Sequence, residues 1–190
     1  MNDKPRPVRH HELLSAARSR LLIVDVQEKL LPHITDGKTV VERCERLLKA
    51  AGILGVPISA TEQYPQGLGP TVEPLRSYFE HIPEKLRFSC VDSLDWAVPR
   101  AEREDRDQIV VAGIETHVCI LQTAFDLAAG GFRVYVPVDA VGSRFSEDRE
   151  TALRRLDAAG IALVSTESVL FEWCEVAGTE QFKQISRLVR

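Results

Sequence analysis

The residue best placed to do chemistry in this chain is Cys119. It lies in the stretch Gln108–Gly131, where a buried-type strand, a glycine turn and a helix starting just before the cysteine follow one another. A cysteine in the first turn of a helix sits at the positive end of the helix dipole, beside unpaired backbone N–H groups. That position favours the thiolate, so the pKa of Cys119 is expected to fall. Asp25 closes the run LLIVD. A carboxylate at a strand end loses solvation unless it is paired or functional. Lys85, in PEKLRFSC, stands beside a weaker third strand. If that strand neighbours the first two, Lys85 reaches the same cleft, where it would depress the cysteine pKa and orient the carboxylate. Taken singly, each has a plainer reading: a packed thiol, a loop-capping aspartate, a solvated lysine.

The elements that must position these groups alternate strand with helix. Leu21–Asp25, Val56–Ala60, Arg87–Cys90, Ile109–Ala112, Arg133–Val136 and Ala162–Ser165 read as strands. Helical periodicity covers Thr39–Leu54, His117–Ala129 and Glu147–Ala159, and a last helix spans Glu180–Leu188. Strands apolar on both faces and separated by helices imply a parallel sheet covered on both sides. The expected fold is a three-layer α/β/α doubly wound domain with a six-stranded, mainly parallel sheet in the order 3-2-1-4-5-6. In such a sheet the carboxyl ends of the strands form the ligand crevice, so Asp25 and the turn before Cys119 should face one cleft. The Gly- and Pro-rich loop Tyr64–Pro74 follows a strand end and is a candidate binding loop.

Composition bounds the possibilities. A chain of 190 residues fits one domain, expected over residues 21–190 after an extension of residues 1–20. A net charge of −4 gives no electrostatic reason to expect a nucleic-acid partner. Cys44, Cys90, Cys119 and Cys174 are scattered without a CxxC pair, which argues against a disulfide framework or a thiolate zinc site. The bland core reading fits Cys44, Cys90 and Cys174. No apolar run approaches the roughly 20 residues of a membrane helix, and no signal core is evident, so a cytoplasmic protein is expected. No GxGxxG follows the first strand, which discounts a dinucleotide-binding reading.

The segments LLIVDVQ, TEQYPQGLGPT, EKLRFSC, AGIETHVCILQTAFDL, VDAVGSR and STESVLFEW occur in the order and spacing of the isochorismatase-like cysteine hydrolase superfamily, which this chain resembles from about Leu21 onward. The resemblance implies a catalytic triad of Asp25, Lys85 and Cys119. It also implies a non-proline cis peptide at Ile114–Glu115, which aims the backbone N–H groups of Glu115 and Cys119 at a developing oxyanion. Such a cis bond costs on the order of 3 kcal/mol. An oxyanion donor is worth roughly 2.7–4 kcal/mol in acyl transfer. Gln63, Tyr64, Phe88 and Ile114 are candidates to line the substrate pocket. Ser143 and Arg144 are expected to have a structural or inter-subunit role, and His117, two residues from the cysteine, a structural or pocket-lining one.

Departures narrow the reading. Nicotinamidases of the superfamily carry an Asp/His metal site after the second strand, whereas SATEQYPQG here holds no histidine, so no metal or other cofactor is expected. Isochorismatases proper cleave a vinyl ether without a cysteine nucleophile, so Cys119 points to C–N bond hydrolysis. The leading expectation is a hydrolase of small amide-like substrates, working as a homo-oligomer. The alternatives are a vinyl-ether hydrolase and a non-catalytic or thiol-redox-responsive protein on the same fold. A sensor would need a resolving cysteine near Cys119, and none is adjacent in sequence.

Overall fold

A computed structural model describes residues 8–97 and 106–190. Seven parallel strands form its centre: β1 (Ser19–Val24), β2 (Ile58–Gln63), β3 (Glu84–Lys85), β4 (Gln108–Ile114), β5 (Arg133–Pro137), β6 (Val141–Gly142) and β7 (Ala162–Val164). They run in the order β3-β2-β1-β4-β5-β7. β6 lies beside the end of β4, with Gly113 opposite Val141 and Ile114 opposite Gly142. The expected order is therefore present, with one short strand more than the six expected. All seven residues of β4 are buried, as a central parallel strand covered on both faces requires.

The described residues hold seven α-helices, the longer of them packed on the sheet: α1 (Gly37–Leu54), α2 (Pro65–Leu68), α3 (Glu73–Arg76), α4 (Leu121–Ala129), α5 (Ser146–Ala158), α6 (Thr166–Cys174) and α7 (Glu180–Leu188). On one face, Val40, Cys44, Leu47, Leu48 and Ala51 of α1 recur at helical spacing and pack with Val169, Leu170 and Trp173 of α6 and Ile185 of α7. On the other, Ile120, Ala124 and Leu127 pack with Ala152 and Leu156 of α5. No helix among the described residues is long and apolar enough to cross a membrane. Ahead of β1, Leu14 is fully buried, and the buried Gln108 side chain accepts from the Ser15 N–H and donates to the Leu13 carbonyl.

Several boundaries differ from expectation. β2 runs on to Gln63 because its polar end, Thr61, Glu62 and Gln63, is buried and hydrogen-bonded rather than solvated. Glu62 accepts from both the N–H and the hydroxyl of Thr71. The third strand is Glu84–Lys85 and not Arg87–Cys90: the Glu62 N–H donates to the Pro83 carbonyl and the Tyr64 N–H to the Lys85 carbonyl, while Phe88 is half exposed. The helix expected from His117 opens instead as a π-helical turn, Thr116–Ile120, before α4 begins. α6 lies under the STESVLFEW motif, where periodicity predicts no helix. There Ser165 caps the helix by accepting from the Ser168 N–H.

Candidate active site

Strand register brings the reactive groups together. Val24 stands opposite Thr61 on one side and Gly113 on the other, and Gln63 stands opposite Lys85. Asp25 therefore leaves β1 level with the start of the Cys119 turn and with the β2 and β3 ends. The approach of β1 to β4 depends on Gly113, since a Cβ there would lie 2.2 Å from the Val24 carbonyl oxygen, at a φ of +131°. Beyond the strand ends the chain turns sharply through left-handed residues, Asp25 (φ 54°) and Glu115 (φ 57°). Aspartate tolerates that region. Glutamate there stores on the order of 1–3 kcal/mol, a feature that clusters at functional sites. The Ile114–Glu115 peptide is trans, correcting the expected cis bond: the turn is made through the positive φ of Glu115.

Asp25, Lys85 and Cys119 meet beneath this edge, all three buried. The Lys85 ammonium lies 2.7 Å from Asp25 Oδ2 and 3.7 Å from Cys119 Sγ. The Asp25 carboxylate lies close enough to the Cys119 thiol to act on it electrostatically, and the Thr61 hydroxyl donates to Asp25 Oδ1 at 2.8 Å. Lys85 Nζ also donates to Gln63 Oε1 at 2.7 Å and to the Phe88 carbonyl at 3.0 Å. Its remaining contact is the Arg87 carbonyl at 3.3 Å. Gln63 in turn donates from Nε2 to the Leu86 carbonyl, and its N–H and C=O pair with the side-chain amide of Gln27. Two neighbouring amides thus fix the lysine in a buried socket.

The electrostatics correct one expectation. Burial pushes the Cys119 thiol above the ordinary range, and the Asp25 charge pushes it further; Lys85 pulls it back only in part. The helix terminus does not offset the loss of water. Burial raises Asp25 as well, against the pull of Lys85, Cys119 and Thr61. Burial disfavours the Lys85 ammonium, but Asp25 and the two nearby thiols outweigh it and hold the pKa above the usual lysine value. The resting arrangement is an ion pair with a protonated thiol against its carboxylate. A carboxylate with a raised pKa is a stronger base than a free one, as acceptance of a thiol proton requires.

The candidate pocket residues divide. Gln63 is buried and holds Lys85. Tyr64 and Phe88 are half exposed at the rim, and Ile114 is fully buried in the apolar core. The sequence reading missed Gln27, Thr61 and Cys90. Cys90 is buried, with Sγ 3.3 Å from the Thr61 hydroxyl and its N–H donating to Thr123 Oγ1, one turn beyond Cys119; burial pushes its thiol up to about 11. Cys44 is buried and raised to about 12 by burial, and Cys174 is partly exposed rather than packed away. His117 faces Ser143 at 3.1 Å and Arg144 faces Glu115, so the VDAVGSR segment packs against the turn that leads to Cys119. Among the described residues no group of three or more His, Cys, Asp or Glu is placed to hold a metal ion.

Known proteins resemble this chain in sequence and in fold. The isochorismatase domain matches residues 19–168. Isochorismatase domain-containing protein 2A of Mus musculus is 40% identical over 175 residues, covering 90% of this chain and 82% of that protein. The MAR1 ribonuclease structure from Caenorhabditis elegans superposes with a TM-score of 0.85 at 34% identity, covering 93% of this chain and 91% of that one. YcaC from Pseudomonas aeruginosa, in a structure with hexane-2,5-diol and covalent acrylamide, superposes with a TM-score of 0.79 at 25% identity, covering 94% and 92%.

Proposed function

This chain belongs to the isochorismatase family, and from that premise we propose that it is a cysteine-nucleophile hydrolase of small amide-like substrates. The observation that carries the reading is the buried contact of Lys85 with both Asp25 and Cys119. A lysine stripped of water is costly unless it serves a charge, and here it serves the carboxylate that acts on the thiol. As the substrate carbonyl meets Cys119, Asp25 takes the thiol proton and Sγ attacks the carbon. The carbonyl pair moves to oxygen, where the backbone N–H groups of Glu115 and Cys119 are the proposed donors. Collapse of the tetrahedral intermediate expels the amine, which takes the proton from Asp25, and leaves a thioester on Cys119. Asp25 then deprotonates a water that attacks the thioester, and the released thiol recovers the proton. Lys85 keeps its positive charge throughout. It makes ionised Asp25 tolerable at the start and stabilises sulfur as it becomes negative.

The covalent acrylamide in the Pseudomonas aeruginosa YcaC structure supports an electrophile-accepting site on this fold. The name of the Caenorhabditis elegans neighbour raises a second reading, RNA cleavage. Phosphodiester chemistry needs cations free to meet phosphate charge, whereas Lys85 is committed to Asp25, Gln63 and two carbonyls in a chain of net charge −4. We therefore favour the amide. Homo-oligomeric assembly and a cytoplasmic place of action belong to the same proposal. Ammonia release from a panel of small primary amides, with RNA digestion run in parallel, tests it. Turnover of at least one amide by wild type and none by Cys119→Ala is expected; activity surviving in Cys119→Ala removes the covalent route.

A further inference from the structure

Glu115 gives its backbone to the nucleophile turn and also carries a side chain that the proposed chemistry leaves unused. Its carboxylate is buried, with 8% of the side chain exposed. Beside a site where oxygen must become negative, a buried carboxylate is an adverse charge unless something cancels it. The structure supplies the cancelling charge. Arg144 Nε lies 2.7 Å from Glu115 Oε1, and arginine stays charged at every relevant pH. Among the described residues Glu115 Oε2 has no hydrogen-bond partner, and it lies 3.4 Å from His117 Nδ1. The imidazole is itself shared with Ser143 Oγ at 3.1 Å and Asp148 Oδ2 at 3.7 Å.

The fold delivers Arg144 by a separate route. β6 pairs with the end of β4, setting Gly142 opposite Ile114 one residue before Glu115. The loop after β6 is then fastened to the loop ahead of α1: the Thr35 N–H donates to the Ser143 carbonyl, and the Thr35 hydroxyl donates to the Arg144 carbonyl at 3.0 Å. A two-residue strand and two anchoring bonds hold a half-exposed arginine against a buried acid.

We propose that Arg144 is a positioning residue that neutralises the Glu115 carboxylate, so that the oxyanion turn presents only its N–H dipoles to the reacting oxygen. The inference rests on the reading of Cys119 as nucleophile and of the Glu115 and Cys119 N–H groups as oxyanion donors. The Glu115 side chain ties down the turn, and Arg144 removes the electrostatic penalty of that tie.

The test compares two small electrophiles at Cys119. Addition to acrylamide forms a bond from Sγ to the terminal carbon and shifts the alkene pair through the carbonyl onto oxygen; the thiol proton, held by Asp25, then goes to the α-carbon. Iodoacetamide alkylates by displacing iodide and leaves its amide oxygen neutral, so it reports access and ionisation of the thiol alone. Rates for both are read by peptide-mapped mass spectrometry on the full chain. Arg144→Gln is expected to slow acrylamide addition tenfold or more while leaving the iodoacetamide rate within twofold. Arg144→Lys, which keeps the charge, stays within threefold of wild type for both reagents. The double variant Glu115→Gln/Arg144→Gln is faster with acrylamide than Arg144→Gln alone, because the bare carboxylate is gone. A simple structural brace predicts the reverse, a double variant as slow as the single one, and that result overturns the proposal. Equal slowing by both reagents, or no slowing, overturns it too. Wild-type Cys119 inert to both reagents would instead remove the nucleophile reading, and reaction with iodoacetamide alone would remove the oxyanion-donor reading; either takes this inference with it.

Discussion

Replacing Lys85 with Met keeps the length and apolar stem of the side chain and deletes its charge. At 2.7 Å the attraction between Lys85 and Asp25 is about 6 kcal/mol at an effective dielectric of 20. Much of that offsets the desolvation of the two ions. Deleting one partner leaves the other charge buried and uncompensated, at a cost of about 3–5 kcal/mol. With their side chains only 2% and 1% exposed, solvent screens neither group. For a chain of this size the melting temperature should drop by about 6–20 °C. The pH dependence is more telling than the size. Burial already raises Asp25, and Lys85 is the strongest influence lowering it again. Without Lys85 the folded carboxyl holds its proton more tightly than the unfolded one, whose pKa is about 3.9. Stability of Lys85→Met therefore falls as pH rises from about 4 through the folded pKa, by up to about 1.4 kcal/mol per pH unit. Urea unfolding followed by Trp96 and Trp173 fluorescence at pH 5.5, 6.5 and 7.5 reads this directly. Adding Asp25→Asn should restore stability at pH 7.5 and flatten the dependence. A Lys85→Met variant within 1 kcal/mol of wild type at pH 7.5, or one least stable at pH 5.5, would refute the reasoning.

Asp25→Asn alone should separate thiol ionisation from catalysis. It removes the charge that, after burial, does most to raise Cys119, leaving thiolate to pair with Lys85. Alkylation of Cys119 by iodoacetamide at pH 7 should quicken tenfold or more while amide hydrolysis is lost; unchanged alkylation would show that Asp25 does not govern the thiol. Gln63→Leu removes an acceptor from Lys85. It should lower kcat about tenfold at near-constant KM, and an effect confined to KM would return Gln63 to the pocket wall. Gly113→Ala places a Cβ against the Val24 backbone and should cost more than about 4 kcal/mol in urea unfolding. A soluble variant with wild-type stability would mean the β1–β4 spacing is looser than described.

Periodicity reads what is long and apolar. The core strand at Ile109–Ala112 is legible because it is apolar throughout, and the helix at Thr39–Leu54 because Val40, Leu47, Leu48 and Ala51 repeat along one face. β3 was misplaced because two residues carry no period, and the apolar Leu86 and Phe88 beside it are exposed. The end of β2 was cut short because buried polar residues look like solvated ones until their partners are known. Asp25, Lys85 and Cys119 are candidates by their places at strand and helix ends, and it is the family resemblance that joins them as a triad. The sockets of Gln27, Gln63 and Thr61, the nearness of Cys90 to Cys119, and the pairing of Arg144 with Glu115 arise from register between distant segments. The direction of the thiol shift was misjudged for a related reason. The helix dipole is visible in sequence, while the burial that outweighs it is a property of the assembled site.

On the proposed reading Cys119 takes the acyl group of the substrate. The most direct measurement uses p-nitrophenyl acetate, an activated acyl donor, with rapid acid quench and peptide-mapped mass spectrometry. A burst of p-nitrophenolate matching one acetyl group per chain, located on Cys119 and absent from Cys119→Ala, is the predicted result. An acetyl group found first on Cys174 or Cys90, or turnover with no acylated cysteine in the quenched protein, would contradict it.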